Sequence, residues 1–184
     1  VSALIRVDSE QARRLLIQLS NFFRANLQGA RTNLIPLTKE LMQVEAYRSL
    51  EQARFPDRYQ VTIAVEEGLE EVLLPPFLIQ ILLENAFKHA FGSRKTDNRV
   101  WIDVRSSPDG VFISVRDNGE GIDTKRLEKL GKEAVPSLEG TGSALDNLNK
   151  RLTSLFGESA KLHFVSSPTG TTVHCTVPYQ ERQG

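Results

Sequence analysis

Glu84, Asn85, Lys88 and His89 crowd four polar groups into the run LPPFLIQILLENAFKHA, residues 74–90. On a helix, Asn85 and Lys88 or His89 project to one side, because residues three and four apart are neighbours. A carboxamide oxygen can ligate a hard cation such as Mg²⁺. A lysine and a histidine one turn further on can touch phosphate oxygens. Glu84 can order a metal-bound water or act as a base. By themselves the same residues read more simply, as a solvated helix face with Glu84 and Lys88 forming an ordinary i,i+4 ion pair.

Two further stretches carry chemistry. Asp117-Asn118-Gly119-Glu120-Gly121-Ile122 directly follows a run with strand character. A carboxylate at a strand's end accepts hydrogen bonds, and an adenine amino group is a suitable donor. Gly119 and Gly121 permit backbone turns that a Cβ would forbid. The plainer alternative is a turn, since Asp-Asn-Gly is common turn chemistry. Gly140-Thr141-Gly142-Ser143-Ala144-Leu145 precedes a helical pattern. A glycine-rich turn feeding a helix N-terminus presents N–H groups and the positive dipole end to anionic oxygens. It lacks the Lys-Ser/Thr ending of a Walker loop, and no preceding strand supports a Rossmann turn. A flexible loop with a helix cap is the alternative.

The elements that must hold these groups follow from periodicity. Residues 8–28 have one apolar stripe at helical spacing, with Asp8 or Ser9 to cap it and Gly29 to close it. A second helix spans 37–54, with Thr38 and Glu40 in its first turn and Leu41, Val44, Tyr47 and Leu50 on its periodic face. Residues 59–66 alternate as a strand, and 68–74 connect it to Pro75-Pro76, where the polar-cluster helix starts. Strands over 99–106 and 111–117 flank the turn Pro108-Asp109-Gly110. Residues 118–142 read as a loop with a short helix at 124–131. A helix over 143–156 places Leu145, Leu148, Leu152 and Leu155 on one face, and strands 160–167 and 171–178 close the chain around Ser167–Gly170. This order is no strict βαβ alternation. It predicts an α+β fold: a two-layer sandwich of a mixed, mostly antiparallel sheet covered on one face by helices.

Composition narrows the function. Twenty-three basic residues balance twenty-three acidic ones, so no bulk field draws in nucleic acid or anionic membrane, and a nucleotide would need aimed local groups. No apolar run reaches the length of a membrane span. The single cysteine, Cys175, excludes an internal disulfide and reads as a small core residue. The chain begins at Val1 in mid-helix style, as expected of a piece of a longer protein, so any membrane attachment would lie in parts absent here.

In this order the motifs resemble the GHKL nucleotide-binding domain shared by DNA gyrase, heat-shock chaperones, histidine kinases and MutL, and in detail the LytS-like sensor histidine kinases. LPPFLIQILLENAFKHA is similar to that family's N box, DNGEGI to its G1 box, GTGSALDNLNKRL to its G2 box, and Gly170-Thr171-Thr172 to its terminal GT motif; RFPDRYQV matches the usual lead into the domain. The resemblance covers essentially the whole chain and implies a Bergerat ATP-binding fold with ATP and Mg²⁺ as ligands. It implies that Asn85 coordinates Mg²⁺ bridging the phosphates, with Glu84 beside it assisting metal or water, and that Lys88 and His89 face phosphates. Asp117 would bind the adenine amino group, with Thr171 nearby, and Gly119 and Gly121 would allow close approach to the base. Gly140, Thr141 and Gly142 would shape the phosphate-side turn, and 123–139 would be a lid.

Two departures qualify the resemblance. Ala144 stands where the G2 box usually has a third glycine. A methyl there crowds the turn if the position needs positive φ, and is harmless or favourable if it lies in the helix's first turn. The three histidines, His89, His163 and His174, lie outside any acceptor motif. The expected organisation is therefore a remnant of the dimerisation and phosphoacceptor helices over 1–56 and the catalytic domain over 57–184. The expected activity is transfer of the ATP γ-phosphoryl group to a histidine outside this fragment, then to a response regulator. The expected setting is a cytoplasmic domain of a membrane-anchored sensor, homodimeric through the N-terminal helices in the intact protein, with no nucleic-acid partner. A nucleotide-responsive interaction module without phosphoryl transfer is the alternative. A gyrase- or chaperone-type ATPase is a third, disfavoured by LPPFLIQ and RFPDR.

Overall fold

The structure, a computed structural model, describes Glu10, Arg13 and Ile17 and residues 33–94, 96–123 and 141–181, with the backbone alone at 141–143. The expected helix 8–28, apart from its three described residues, and the helix at 124–131 lie outside these. Among the described residues from 33 on, ten elements and a short 3-10 turn follow one another. They are β1 (Ile35–Pro36), α1 (Leu37–Arg54), β2 (Tyr59–Val65), β3 (Leu73–Leu74), α2 (Leu78–His89), β4 (Asn98–Ser107), β5 (Gly110–Asp117), α3 (Thr141–Phe156), the turn Glu158–Ala160, β6 (His163–Ser167) and β7 (Gly170–Val177).

Five strands form one sheet in the order β2-β4-β5-β7-β6. β2 and β4 are parallel and the other pairs antiparallel. The parallel pair needs a crossover, and α2 lies in it. Alternation sorts the strands cleanly: Val100, Ile102, Val104, Val111, Ile113, Val115, Val173, Cys175 and Val177 are buried beneath the helices. Their partners are Leu78, Ile79, Leu82, Leu83, Ala86 and Phe87 of α2 and Leu145, Leu148 and Leu152 of α3. Leu155, expected on the same face, is an exposed large hydrophobic at the end of α3. Burial pushes the Cys175 thiol up to about 12, as befits a core residue rather than a nucleophile.

The opposite sheet face carries Trp101 beneath Arg116, and Phe112 beside Arg105 and His174. The mixed sheet with helices on one face matches the expected α+β architecture.

Three local features differ from the sequence reading. The connector 68–74 ends in β3, which pairs with β1, Ile35 opposite Leu74 and Pro36 opposite Leu73. Two-residue strands leave no periodicity to read. The strand expected from 160 starts at His163, because Glu158–Ala160 forms the 3-10 turn. The helix expected from 143 starts at Thr141, which puts Ala144 inside α3.

Candidate functional site

The site begins with α2. Its apolar face packs on the sheet, and its mean character is set by two opposed ends. The last turn holds Lys88 and His89, and basic groups are favoured at the negative end of a helix. Beyond it, the carbonyl of Ala90 accepts the Glu120 N–H at 2.9 Å. Gly119 sits so tightly against that carbonyl that a Cβ would lie 2.2 Å from Ala90 O. The DNGEGI loop is thereby docked on the C-terminal end of the polar-cluster helix.

Asp117 ends β5 and is only 8% exposed. Its Oδ1 accepts the Gly119 N–H at 2.8 Å and the Thr171 N–H at 3.2 Å. Burial raises its carboxyl above the ordinary range, against these two N–H groups and the nearby Arg94 guanidinium, which lower it. Gly170, at φ +141°, brings the β6–β7 turn to Asp117, where a Cβ would meet Asp117 O at 2.1 Å. Gly121, at φ +76°, packs equally closely on Ser167 O. The Ser166 hydroxyl accepts the Ile122 N–H at 2.7 Å and lies 3.0 Å from the Thr171 hydroxyl. Asp117, Gly119, Gly121 and Thr171 are thus one hydrogen-bonded cluster.

Arg94 was not singled out from the sequence, yet it clasps the loop. It donates to the Asn118 carbonyl at 2.9 Å and to Asn118 Oδ1 at 2.8 Å, while its Nε reaches Asn98 Oδ1 at 2.6 Å. Its partners lie up to 24 residues away, so no local pattern announces it. Ser166 escaped notice for the same reason.

On α2 itself, Lys88 is exposed and pairs with Glu84 at 3.4 Å, while Gln80 Nε2 donates to the other Glu84 oxygen at 2.8 Å. The plain i,i+4 pair is therefore present. His89 is half-buried. Asn85 is half-buried too, and no hydrogen bond engages its side chain among the described residues. It precedes Ala90 by five residues, about 7.5 Å along the helix axis. Gly140 lies outside the described residues. Thr141 and Gly142 open α3, and the arrival of Ala144 within that helix removes the need for a positive φ there.

The donor set fits a magnesium nucleotide. Asn85 offers an unengaged carboxamide oxygen, and both hydrogen bonds to Asp117 fall on Oδ1, leaving Oδ2 for an amino donor. Of the described cavities, one of about 260 Å³ lies between α1 and the β2 edge, lined by Arg48, Glu51, Tyr59 and Phe87 among others. Another, of about 660 Å³, lies on the open sheet face by Asp103, Arg105 and Phe112. Neither is lined by this cluster, and of the expected lid, 123–139, all but residue 123 lies outside the described residues.

The fold is that of histidine-kinase catalytic domains. The histidine kinase domain of the blue-light activated kinase of Erythrobacter litoralis EL346 superposes with a TM-score of 0.58 at 20% identity, covering 96% of this chain and 85% of that one. The catalytic domain of histidine kinase ThkA gives 0.61 at 16% identity, covering 79% and 94%. The family model described as histidine kinase-, DNA gyrase B- and HSP90-like ATPase matches residues 76–181, and the chain belongs to that family. A histidine kinase model matches residues 1–59. The chain is 55% identical over 180 residues to the sensor protein LytS of Staphylococcus epidermidis, and 53% identical over 184 residues to the sensor histidine kinase/phosphatase LytS of Staphylococcus aureus. These alignments take in 98% and 100% of this chain but 30% and 32% of the relatives. The resemblance to LytS-like sensor kinases is thereby established.

Proposed function

We propose that this chain is the ATP-binding catalytic core of a two-component sensor histidine kinase. The observation that carries the reading is the buried Asp117 carboxylate, with one oxygen tied to Gly119 and Thr171 and the other left for a base. Asp117 selects adenine through its amino group, with Thr171 beside it and Gly119 and Gly121 keeping the loop close-packed. Asn85 would hold Mg²⁺, which would supply charge neutralisation at the phosphates. Glu84 orients metal or water from the adjacent helical position, and Lys88 and His89 face phosphate oxygens. Gly140, Thr141 and Gly142 would serve the phosphate side of the nucleotide, where the α3 N-terminus favours anionic oxygens.

Positioning and charge neutralisation account for most of the rate in such a transfer. The γ-phosphoryl acceptor is a histidine other than His89, His163 and His174, and a response-regulator aspartate receives the group next. Residues 1–56 correspond to a remnant of the dimerisation and phosphoacceptor region and 57–184 to the catalytic unit, on the cytoplasmic side of a membrane-anchored parent. No helix among the described residues is long and apolar enough to cross a membrane.

The test is a titration with a non-hydrolysable ATP analogue and Mg²⁺. Asp117→Asn is expected to weaken adenine nucleotides specifically, and Asn85→Ala to remove the Mg²⁺ dependence. Wild-type affinity in both variants would refute the site. Transfer of labelled phosphate to a supplied histidine-bearing segment separates a kinase from a nucleotide-responsive module that binds without transfer.

A further inference from the structure

At its N-terminal end α2 is held by a side chain, not by a loop. Glu40, in the first turn of α1, is fully buried. Its Oε2 accepts the Phe77 N–H at 2.8 Å, and its Oε1 accepts those of Ile79 at 2.9 Å and Gln80 at 3.1 Å. These are N–H groups that the first turn of a helix cannot satisfy internally. Phe77 stands at φ +68°, a left-handed conformation unusual for a bulky residue, and the Glu40 bond holds it there.

Arg151 of α3 lies close enough to attract Glu40 electrostatically. It also donates to Pro76 O at 3.2 Å and Asn33 O at 3.3 Å. One carboxylate and one guanidinium therefore join four pieces: the 33–36 entry, α1, the start of α2 and α3. The entry is tied again where Leu37 N–H meets Val72 O at 2.8 Å and β1 pairs with β3.

We propose that Glu40 is a positioning residue for the nucleotide site, setting the axial placement of α2 and hence of Asn85 relative to the Asp117 loop. The inference rests on the nucleotide reading above. The far end of α2 is fixed at Ala90 to the Gly119–Glu120 backbone, so a change at Glu40 shifts or tilts the helix between two anchors. The metal-and-phosphate side moves with α2. The adenine side, built on β5 and β7, does not. With Arg151 in the same junction, displacement of α1 reaches both helices that border the phosphates, which makes this junction the route by which the N-terminal segment acts on nucleotide binding.

The experiment uses the full 184-residue chain with two probes, a non-hydrolysable ATP analogue with MgCl₂ and adenosine alone, each titrated below the melting temperature of the variant. Glu40→Gln keeps the shape but presents an amide where an acceptor is needed. It is expected to lose roughly tenfold in affinity for the magnesium analogue, as small misplacements of binding groups do, while adenosine binds as in wild type. A merely structural role lowers the melting temperature without changing the ratio of the two affinities, and that result overturns the inference, as does an equal loss for both probes. If Glu40→Gln fails to fold, Arg151→Lys decides: it keeps the charge but loses the fork to Pro76 and Asn33, and an unchanged ratio overturns the inference. If the unsubstituted chain binds neither probe, the nucleotide reading itself falls. If it binds both and the variants keep its ratio, only the role of Glu40 falls.

Discussion

The two ends of α2 are anchored by opposite means. At the C-terminal end the bonds are backbone to backbone, and the contact is close because Gly119 has no side chain. At the N-terminal end a buried carboxylate from α1 collects three N–H groups. The first anchor is steric: it tolerates no added atom and is indifferent to pH. The second is electrostatic. It depends on the acceptor oxygens of Glu40, on Arg151 and on where α1 sits. A helix bearing Asn85 between a fixed end and an adjustable one is suited to respond to the segment that precedes it.

The comparison can be broken most severely at the steric end. Gly119→Ala forces a methyl against Ala90 O, which is backbone and cannot swing aside, and is expected to cost about 3 kcal/mol of stability in urea denaturation. A loss below about 1 kcal/mol would show that the loop relaxes freely. The electrostatic end is tested by pH. Burial pushes the Glu40 carboxyl up to about 7, outweighing the three N–H groups and Arg151. The folded state thus holds this proton more tightly than the unfolded state does. The stability it contributes is full below the ordinary carboxyl range and is lost as the pH rises through about 7. The difference in melting temperature between wild type and Glu40→Gln is therefore expected to be widest near pH 5 and to narrow toward pH 8; a constant difference would mean that Glu40 does not titrate there. The smallest effect belongs to α3, which the junction also holds. Ala144→Gly is expected to cost about 0.5–1 kcal/mol, as glycine does inside a helix, and to leave nucleotide affinity unchanged. Markedly tighter binding would show that the methyl crowds the phosphate turn after all.

Much of the molecule was legible in the sequence because its signals are local. The stripe of Leu78, Ile79, Leu82, Leu83, Ala86 and Phe87 fixes which face of α2 is buried, and strand alternation fixes which face of the sheet receives it. Pro108-Asp109-Gly110 marks the β4–β5 hairpin, whose register runs from Ser107 opposite Gly110. The clustering of Asp117, Gly119, Gly121 and Thr171 was expected from a resemblance whose motifs are themselves short runs. The roles assigned to them await the titrations.

Tertiary structure decided what depends on partners far along the chain. Glu40 looks like any acidic residue in a helix's first turn, and only the approach of Phe77–Gln80, 37 to 40 residues later, turns it into a buried anchor. Arg94 and Arg151 look like surface cations until Asn118 and Asn33 arrive beside them. Periodicity and turn chemistry report the conformation of a few adjacent residues, which the sequence alone determined here. Which distant backbone group satisfies a given charge is settled only when the helices are laid on the sheet, because burial then makes an unpaired charge too costly to leave.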